Sequence, residues 1–144
     1  MIASPVPVGR EVEFTKTISE SDVYLYAGIT GDFSPNHINQ PYMDRSLWGK
    51  RMAHGMLLLG FVSTTSTMAI ADTRNDTTQT PVAVGMDKVR FLQPVFLGDT
   101  VTTRYRIERF DDKKRRTHAK VELTNQDNEL VAVCDHMLQW VAND

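Results

Sequence analysis

The chain is expected to fold as a single α+β domain, with an antiparallel sheet packed on one long buried helix. Three observations point there. A stretch from Gly55 to about Ala71 has helix length and almost no polar face, as a buried helix should. From Pro81 to Val141 the pattern changes to period-two alternation broken by short turns, which reads as strands. One helix followed by a meander of strands is an α+β order, not an alternating βαβ one. At 144 residues, one domain with an adequate core is the default.

The elements follow in order. Residues 1–7 carry two prolines and read as a loose leader, so the domain is expected to span 8–144. Val8 to Thr17 alternates moderately and reads as a first strand. Ser19 to Gly28 opens Ser-Glu-Ser-Asp, where Ser19 or Ser21 supplies an N-cap and the acids suit a first helical turn. Asn36 to Lys50 is polar and broken by Pro41 and Gly49, so it reads as irregular chain, packed down by Tyr42, Met43, Leu47 and Trp48. The long helix, about 17 residues, reaches roughly 25 Å, enough to cross a sheet. Asp72 to Thr80 is turn-rich and ends it. Strands then run from Pro81 to Gln93, Val101 to Phe110, Thr117 to Thr124 and Leu130 to Val141. Turns at Gly98-Asp99, 111–116 and 125–128 separate the later strands. In the second of these strands Val101, Thr103, Tyr105 and Ile107 share one face, and Thr102, Arg104, Arg106 and Glu108 the other. The last strand is apolar on both faces, as a central strand is.

Composition narrows the function classes. A net charge of −2 argues against bulk attraction to nucleic acid or to an anionic membrane. The longest apolar stretch is interrupted by five consecutive hydroxyl residues, 63–67, and falls short of a bilayer span. No export signal is evident at the N-terminus, and the single cysteine, Cys134, permits no internal disulfide, so the expected address is the cytoplasm. Cys134 sits in an apolar strand and is expected to be an inert, buried thiol. His118 and His136 also sit on strands, with no metal-ligand spacing. There is no phosphate-cradling glycine loop and no serine-nucleophile motif. The cations Arg104, Arg106, Lys113, Lys114, Arg115 and Arg116 are expected to be a solvated strand face and turn, with phosphate binding as the other reading.

The stretch Tyr26–His37, YAGITGDFSPNH, carries the chemistry. Asp32 and His37 stand five residues apart on a loop shaped by Gly31 and Pro35. A carboxylate and an imidazole so placed can grip one water molecule and move its protons. Taken alone, Gly-Asp followed by Ser-Pro is also ordinary turn chemistry. Further on, Ala53-His54-Gly55-Met56 opens the long helix, whose first N–H groups are unpaired and partially positive. A carbonyl held against the Gly55 N–H would be polarised there. The competing reading is that Gly55 lets the helix start tightly against the sheet. His54 is expected to be structural. Ser63 follows Gly55 by about two turns and is a candidate for the same face, although a helix serine can equally bond its own backbone.

Together these motifs resemble the MaoC-like, (R)-specific enoyl-CoA hydratase family of hot-dog proteins. The matching residues are Gly31, Asp32, Ser34, Pro35 and His37, then Ala53, His54, Gly55, Met56 and Leu57. The order and separation of the two motifs also fit, and the resemblance covers roughly residues 8–141. It implies a single hot-dog domain whose curved antiparallel sheet wraps one long helix. It implies reversible addition of water to a trans-2-enoyl thioester, giving an (R)-3-hydroxyacyl thioester. Asp32 and His37 would be the catalytic pair. Gly55 would be the oxyanion donor, with Ser34 and Ser63 as further substrate-binding candidates. Which of the pair is the base stays open. Ser34 stands where many members of the family carry asparagine, and Asn36 and Asn39 are polar where relatives often have an aliphatic residue and an acid. These departures bear on substrate preference. The implied partners are an acyl-CoA or acyl-carrier-protein thioester and a second copy of the chain, as a homodimer or dimer of dimers, with no metal and no cofactor. A thioesterase on the same fold, or a non-catalytic acyl-binding subunit, are the alternatives.

Overall fold

In the computed structural model, which describes residues 2–143, strand β1 (Glu11–Thr17) leads into helix α1 (Glu20–Thr30). Two four-residue helices follow, α2 (Pro35–Ile38) and α3 (Gln40–Met43), then the long helix α4 (Gly55–Ala69) and a single 3-10 turn, Ala71–Thr73. The strands β2 (Gln79–Phe91), β3 (Thr100–Asp111), β4 (Arg116–Thr124) and β5 (Leu130–Ala142) complete one antiparallel sheet in the order β1-β3-β4-β5-β2. The α+β architecture read from the sequence is the one observed.

Alternation sets which face of the sheet is covered. On β3, Val101, Thr103, Tyr105 and Ile107 are buried while Arg104, Arg106 and Glu108 face solvent. The same period buries Ala119, Val121 and Leu123 on β4. Helix α4 lies against β1 and β3 and adds Leu58, Phe61, Val62 and Ala69 to the core. Strand β5 is interior, between β4 and β2, and buries Val131, Ala132, Cys134, His136, Leu138 and Trp140. Burial pushes the Cys134 thiol up to about 11, in keeping with an inert sulfur. The exposed sheet face carries a charge ladder in which Arg104 pairs with Glu13 at 2.6 Å and Arg106 with Glu108 at 3.3 Å. Arg115 and Arg116 donate to Gln79 and Gln139. These partners fit a solvated strand face, and pairs so exposed add little stability.

Several boundaries differ from the sequence reading. Val6, placed in the loose leader, is 1% exposed and belongs to the core, and Gly9 N–H bonds the Ile107 carbonyl at 2.7 Å. β1 begins only at Glu11, after that turn. The irregular stretch 36–50 contains the helical turns α2 and α3, the second capped by the Asn39 side chain on Tyr42 N–H. Ser19 is the N-cap of α1, in a full capping box with Asp22. α4 is not buried all round. Met56, Gly60, Ser63 and Thr67, spaced three or four apart, form an exposed stripe along its outer side.

Candidate active site

Helix α1 delivers the chain to the site and stops for a local reason. Gly31 takes φ 81°, a left-handed cap that closes on the Ala27 carbonyl at 2.8 Å and turns the chain out of the helix. Asp32 follows at once. Its Oδ1 accepts the Ser34 N–H at 3.2 Å, an Asx turn that fixes the carboxylate relative to the loop. Pro35 then starts α2, and the Ser34 carbonyl accepts the His37 N–H at 3.0 Å. One α2 turn therefore swings His37 back beneath Asp32. Asp32 stays exposed, whereas His37 is only 8% exposed.

The tautomer of His37 is set by its neighbour. Nδ1 lies 2.7 Å from the Met52 carbonyl oxygen. A carbonyl only accepts, so Nδ1 carries the proton and the lone pair of the neutral ring is on Nε2. Burial pushes the imidazole below the ordinary histidine value of 6.5, and nearby His54 adds to that lowering. The Met52 bond and the Asp32 charge oppose it without prevailing. A buried, neutral imidazole with a free Nε2 is a proton acceptor at neutral pH.

The segment before α4 is pinned on two sides. Met52 N–H bonds the Asn36 carbonyl at 3.0 Å, and Ala53 N–H bonds the Val95 carbonyl at 2.7 Å. These bonds bring α2, the start of α4 and the chain after β2 around one cleft of about 330 Å³. Asn36, His37, Met52, Ala53, Gly55 and Leu58 line it, opposite the stretch 91–95. Gly55 is the first residue of α4, and its N–H bonds no described residue. A Cβ at Gly55 would stand 2.9 Å from Phe91 Cζ, so the glycine is also required by close packing. Both readings of Gly55 therefore have support: a ring seated on its Cα and a free donor at its nitrogen.

The candidate residues divide. Asp32 and His37 come together, and with His54 they offer ligand atoms that all lie within 4.8 Å of one another. That trio is the group placed to hold a metal ion among the described residues, although His37 Nδ1 and His54 Nε2 are already committed to carbonyls. His37 and Gly55 line the cleft, but Asp32, Ser34 and Ser63 do not; Asp32 reaches the site only through its closeness to His37 and His54. Ser34 contributes its backbone to the Asp32 turn and has no side-chain capping bond. Ser63 points outward on the exposed stripe of α4, because eight residues at 100° each leave it about 80° away from Gly55. Sequence reasoning did not find the part played by Phe91, or that His54 reaches back to the Asp32 loop. An aromatic at a strand end carries no distinguishing sequence signal, and His54 could be noticed only through its place before Gly55. Asn36 Oδ1 is buried without a partner at the cleft wall.

Comparison with known proteins places the chain in a family. The family model described as "MaoC like domain" matches residues 4–130. The chain is 41% identical over 95 residues to an "(R)-specific enoyl-CoA hydratase" of Rhodospirillum rubrum, a match covering 65% of this chain and 60% of that protein. It is 34% identical over 110 residues to a "3-hydroxybutyryl-CoA dehydratase" of Methylorubrum extorquens, covering 76% of this chain and 65% of the relative. The chain thus spans less than two thirds of the length of either relative. Among solved structures, a protein described as a monoamine oxidase regulatory protein from Archaeoglobus fulgidus superposes with a TM-score of 0.82 at 28% identity, covering 96% of this chain and 92% of that one.

Proposed function

The chain belongs to the family of MaoC-like domains, and from that premise we propose that it is a hydratase adding water reversibly to a trans-2-enoyl-CoA or related acyl thioester. The product is the (R)-3-hydroxyacyl thioester, and the reverse reaction is the dehydration. The observation that carries the reading is the Asp32–His37 pair, with Nε2 of His37 free, beside a cleft that ends at the N-terminus of α4. In the hydration step, water lies between the Asp32 carboxylate and His37 Nε2. His37 takes one proton as the water oxygen bonds C3, and the π electrons move toward the thioester carbonyl. The Gly55 N–H stabilises the resulting enolate oxygen. The proton held by His37 then passes to C2 on the same face, which restores the neutral ring and balances the addition. Asp32 orients the water throughout. The thioester is substrate, and the step needs no metal or other cofactor.

The names of the two relatives, an (R)-specific enoyl-CoA hydratase and a 3-hydroxybutyryl-CoA dehydratase, support the substrate class. The test is loss of enoyl-thioester absorbance when the purified protein meets crotonyl-CoA, with free thiol followed in the same sample. Absorbance loss without thiol release supports the hydratase. Thiol release supports a thioesterase on the same fold. Neither signal, from a well-folded protein, points to a non-catalytic acyl-binding subunit.

The active form is a homodimer. β2 is a 13-residue edge strand that leaves Val82 and Val84 half exposed, beside the uncovered outer stripe of α4. A long apolar edge of this kind is normally covered. The cytoplasm is the address that a lone buried cysteine suits best. No helix among the described residues is long and apolar enough to cross a membrane.

A further inference from the structure

His54 is more than a helix-start residue. It occupies the N-cap position of α4, yet its side chain makes no capping bond. It is 2% exposed, so burial of a polar ring has to be offset elsewhere. Nε2 lies 3.0 Å from the backbone carbonyl oxygen of Asp32, across 22 residues of chain. That acceptor fixes the proton on Nε2. Nδ1 is left as a bare acceptor, buried and without a partner among the described residues. One face of the ring stacks on His37 at 3.8 Å between centroids and 27° between planes. Tyr26 of α1 packs against it at 4.4 Å. A single buried ring thus touches the backbone of one member of the acid–base pair and the imidazole of the other.

We propose that His54 is a positioning residue for the reaction, holding the Asp32 loop and the His37 ring in register around the shared water. The inference rests on the hydratase reading for its kinetic consequence, but not for its structural one. Among the described residues the Asp32 loop is otherwise tied by its own short-range turn bonds and by a 3.3 Å contact between Asp32 N–H and Thr30 Oγ1. The His37 ring is otherwise tied by one bond to the Met52 carbonyl, about which it can still tilt. The bond and the stack together remove the remaining freedom of both groups. The groups facing His37 are Asp32 from the loop and His54 from the head of α4, with Tyr26 of α1 behind His54.

Two variants separate the contributions. His54→Phe keeps a stacked ring and removes the donor, and His54→Gln keeps a donor that can reach the Asp32 carbonyl. Each is measured for kcat and KM on crotonyl-CoA, and for the tautomer of His37 by 15N-resolved NMR without substrate. The expected result for His54→Phe is a fall in kcat of about 10- to 100-fold, with KM within roughly twofold. His54→Gln recovers part of that loss. In both variants the Nδ1–H tautomer of His37 is less fully populated, because the ring is freer to tilt off the Met52 carbonyl. If His54→Phe fails to fold, His54→Gln decides alone, by a reduced kcat and a less fully populated Nδ1–H tautomer of His37. Either readout staying at its wild-type value in a folded variant overturns the proposal. If wild type does not hydrate crotonyl-CoA, the hydratase reading fails on its own, and the tautomer measurement still decides the position of His54.

Discussion

Replacing Gly55 by alanine separates the two tasks the structure gives that residue. The added Cβ would stand 2.9 Å from Phe91 Cζ and 3.0 Å from Cε1 and Cε2, where ordinary contact begins at 3.4 Å. The ring must retreat, and with Phe91 49% exposed it has solvent to retreat into. Crowding in a closed core costs about 1–3 kcal/mol, and an open site lies at the low end. Removing glycine from a helix interior returns about 1 kcal/mol, and less at the first helical position that Gly55 holds. Stability is therefore expected to change by no more than about 1 kcal/mol in a urea melt. Activity is expected to fall much further, because the methyl group and the displaced ring both occupy the approach to the Gly55 N–H. Loss of one oxyanion donor typically costs about 10²–10³ in kcat. Here the N–H survives but is screened, so a fall of about 10- to 100-fold is expected, or ~1.4–2.7 kcal/mol of transition-state stabilisation. The assay is the initial rate of crotonyl-CoA hydration beside the melt. A folded Gly55→Ala protein within about twofold of the wild-type rate would refute the oxyanion assignment and leave Gly55 as a packing residue only.

Two further outcomes follow from buried histidines. Burial holds His37 below 6.5, so its neutral, proton-accepting form persists at lower pH than for a free imidazole. The acid limb of kcat/KM against pH is therefore expected to have its midpoint below 6.5, with activity lost as pH falls through it; a midpoint above 6.5 would contradict the assignment. In the core, the Tyr105 hydroxyl lies 3.0 Å from His136 Nδ1, and both residues are buried. Tyr105→Phe leaves that nitrogen unpaired at a cost of about 1–3 kcal/mol, and for a domain of this size that lowers Tm by roughly 3–10 °C. Calorimetry checks it, and an unchanged Tm would mean that the pair contributes nothing.

Much of this is legible in the sequence alone. The alternation on β3 and β4 fixed which side chains are buried, because a half-covered sheet leaves a period of two in the sequence. The N-cap at the start of α1 is local chemistry and legible as Ser19 or Ser21, whereas the reciprocal bond of Asp22 and the run of the helix past the expected Gly28 to its stop at Gly31 are not. What else escaped has one cause in common, dependence on long-range contact. Four-residue helices such as α2 and α3 are too short to show a period. Val6 is buried because β3 and the core receive it, not because of anything in residues 1–7. The outer face of α4 reads as core because Met56, Gly60, Ser63 and Thr67 are apolar or small, and a sequence does not say whether its own sheet or another chain covers a face. Ser63 falls off the Gly55 face because two turns are 7.2 residues and not eight. Within the site, Asp32 and His37 were found because loop and motif place them five apart. The reach of His54 to the Asp32 carbonyl spans 22 residues, and no local pattern encodes it.

The most direct test of the shared-water mechanism is a double-mutant cycle at the pair. Rates of crotonyl-CoA hydration are measured for Asp32→Asn, His37→Gln and the double variant, each verified to be folded. General acid–base groups contribute about 10²–10⁴-fold, so each single change is expected to cost a loss in that range. Residues that act as a unit are far from additive, so the double variant is expected to fall no further than the worse single one, within a few-fold. A single variant that keeps the wild-type rate, or two losses that multiply in the double variant, would show that Asp32 and His37 do not act on one water.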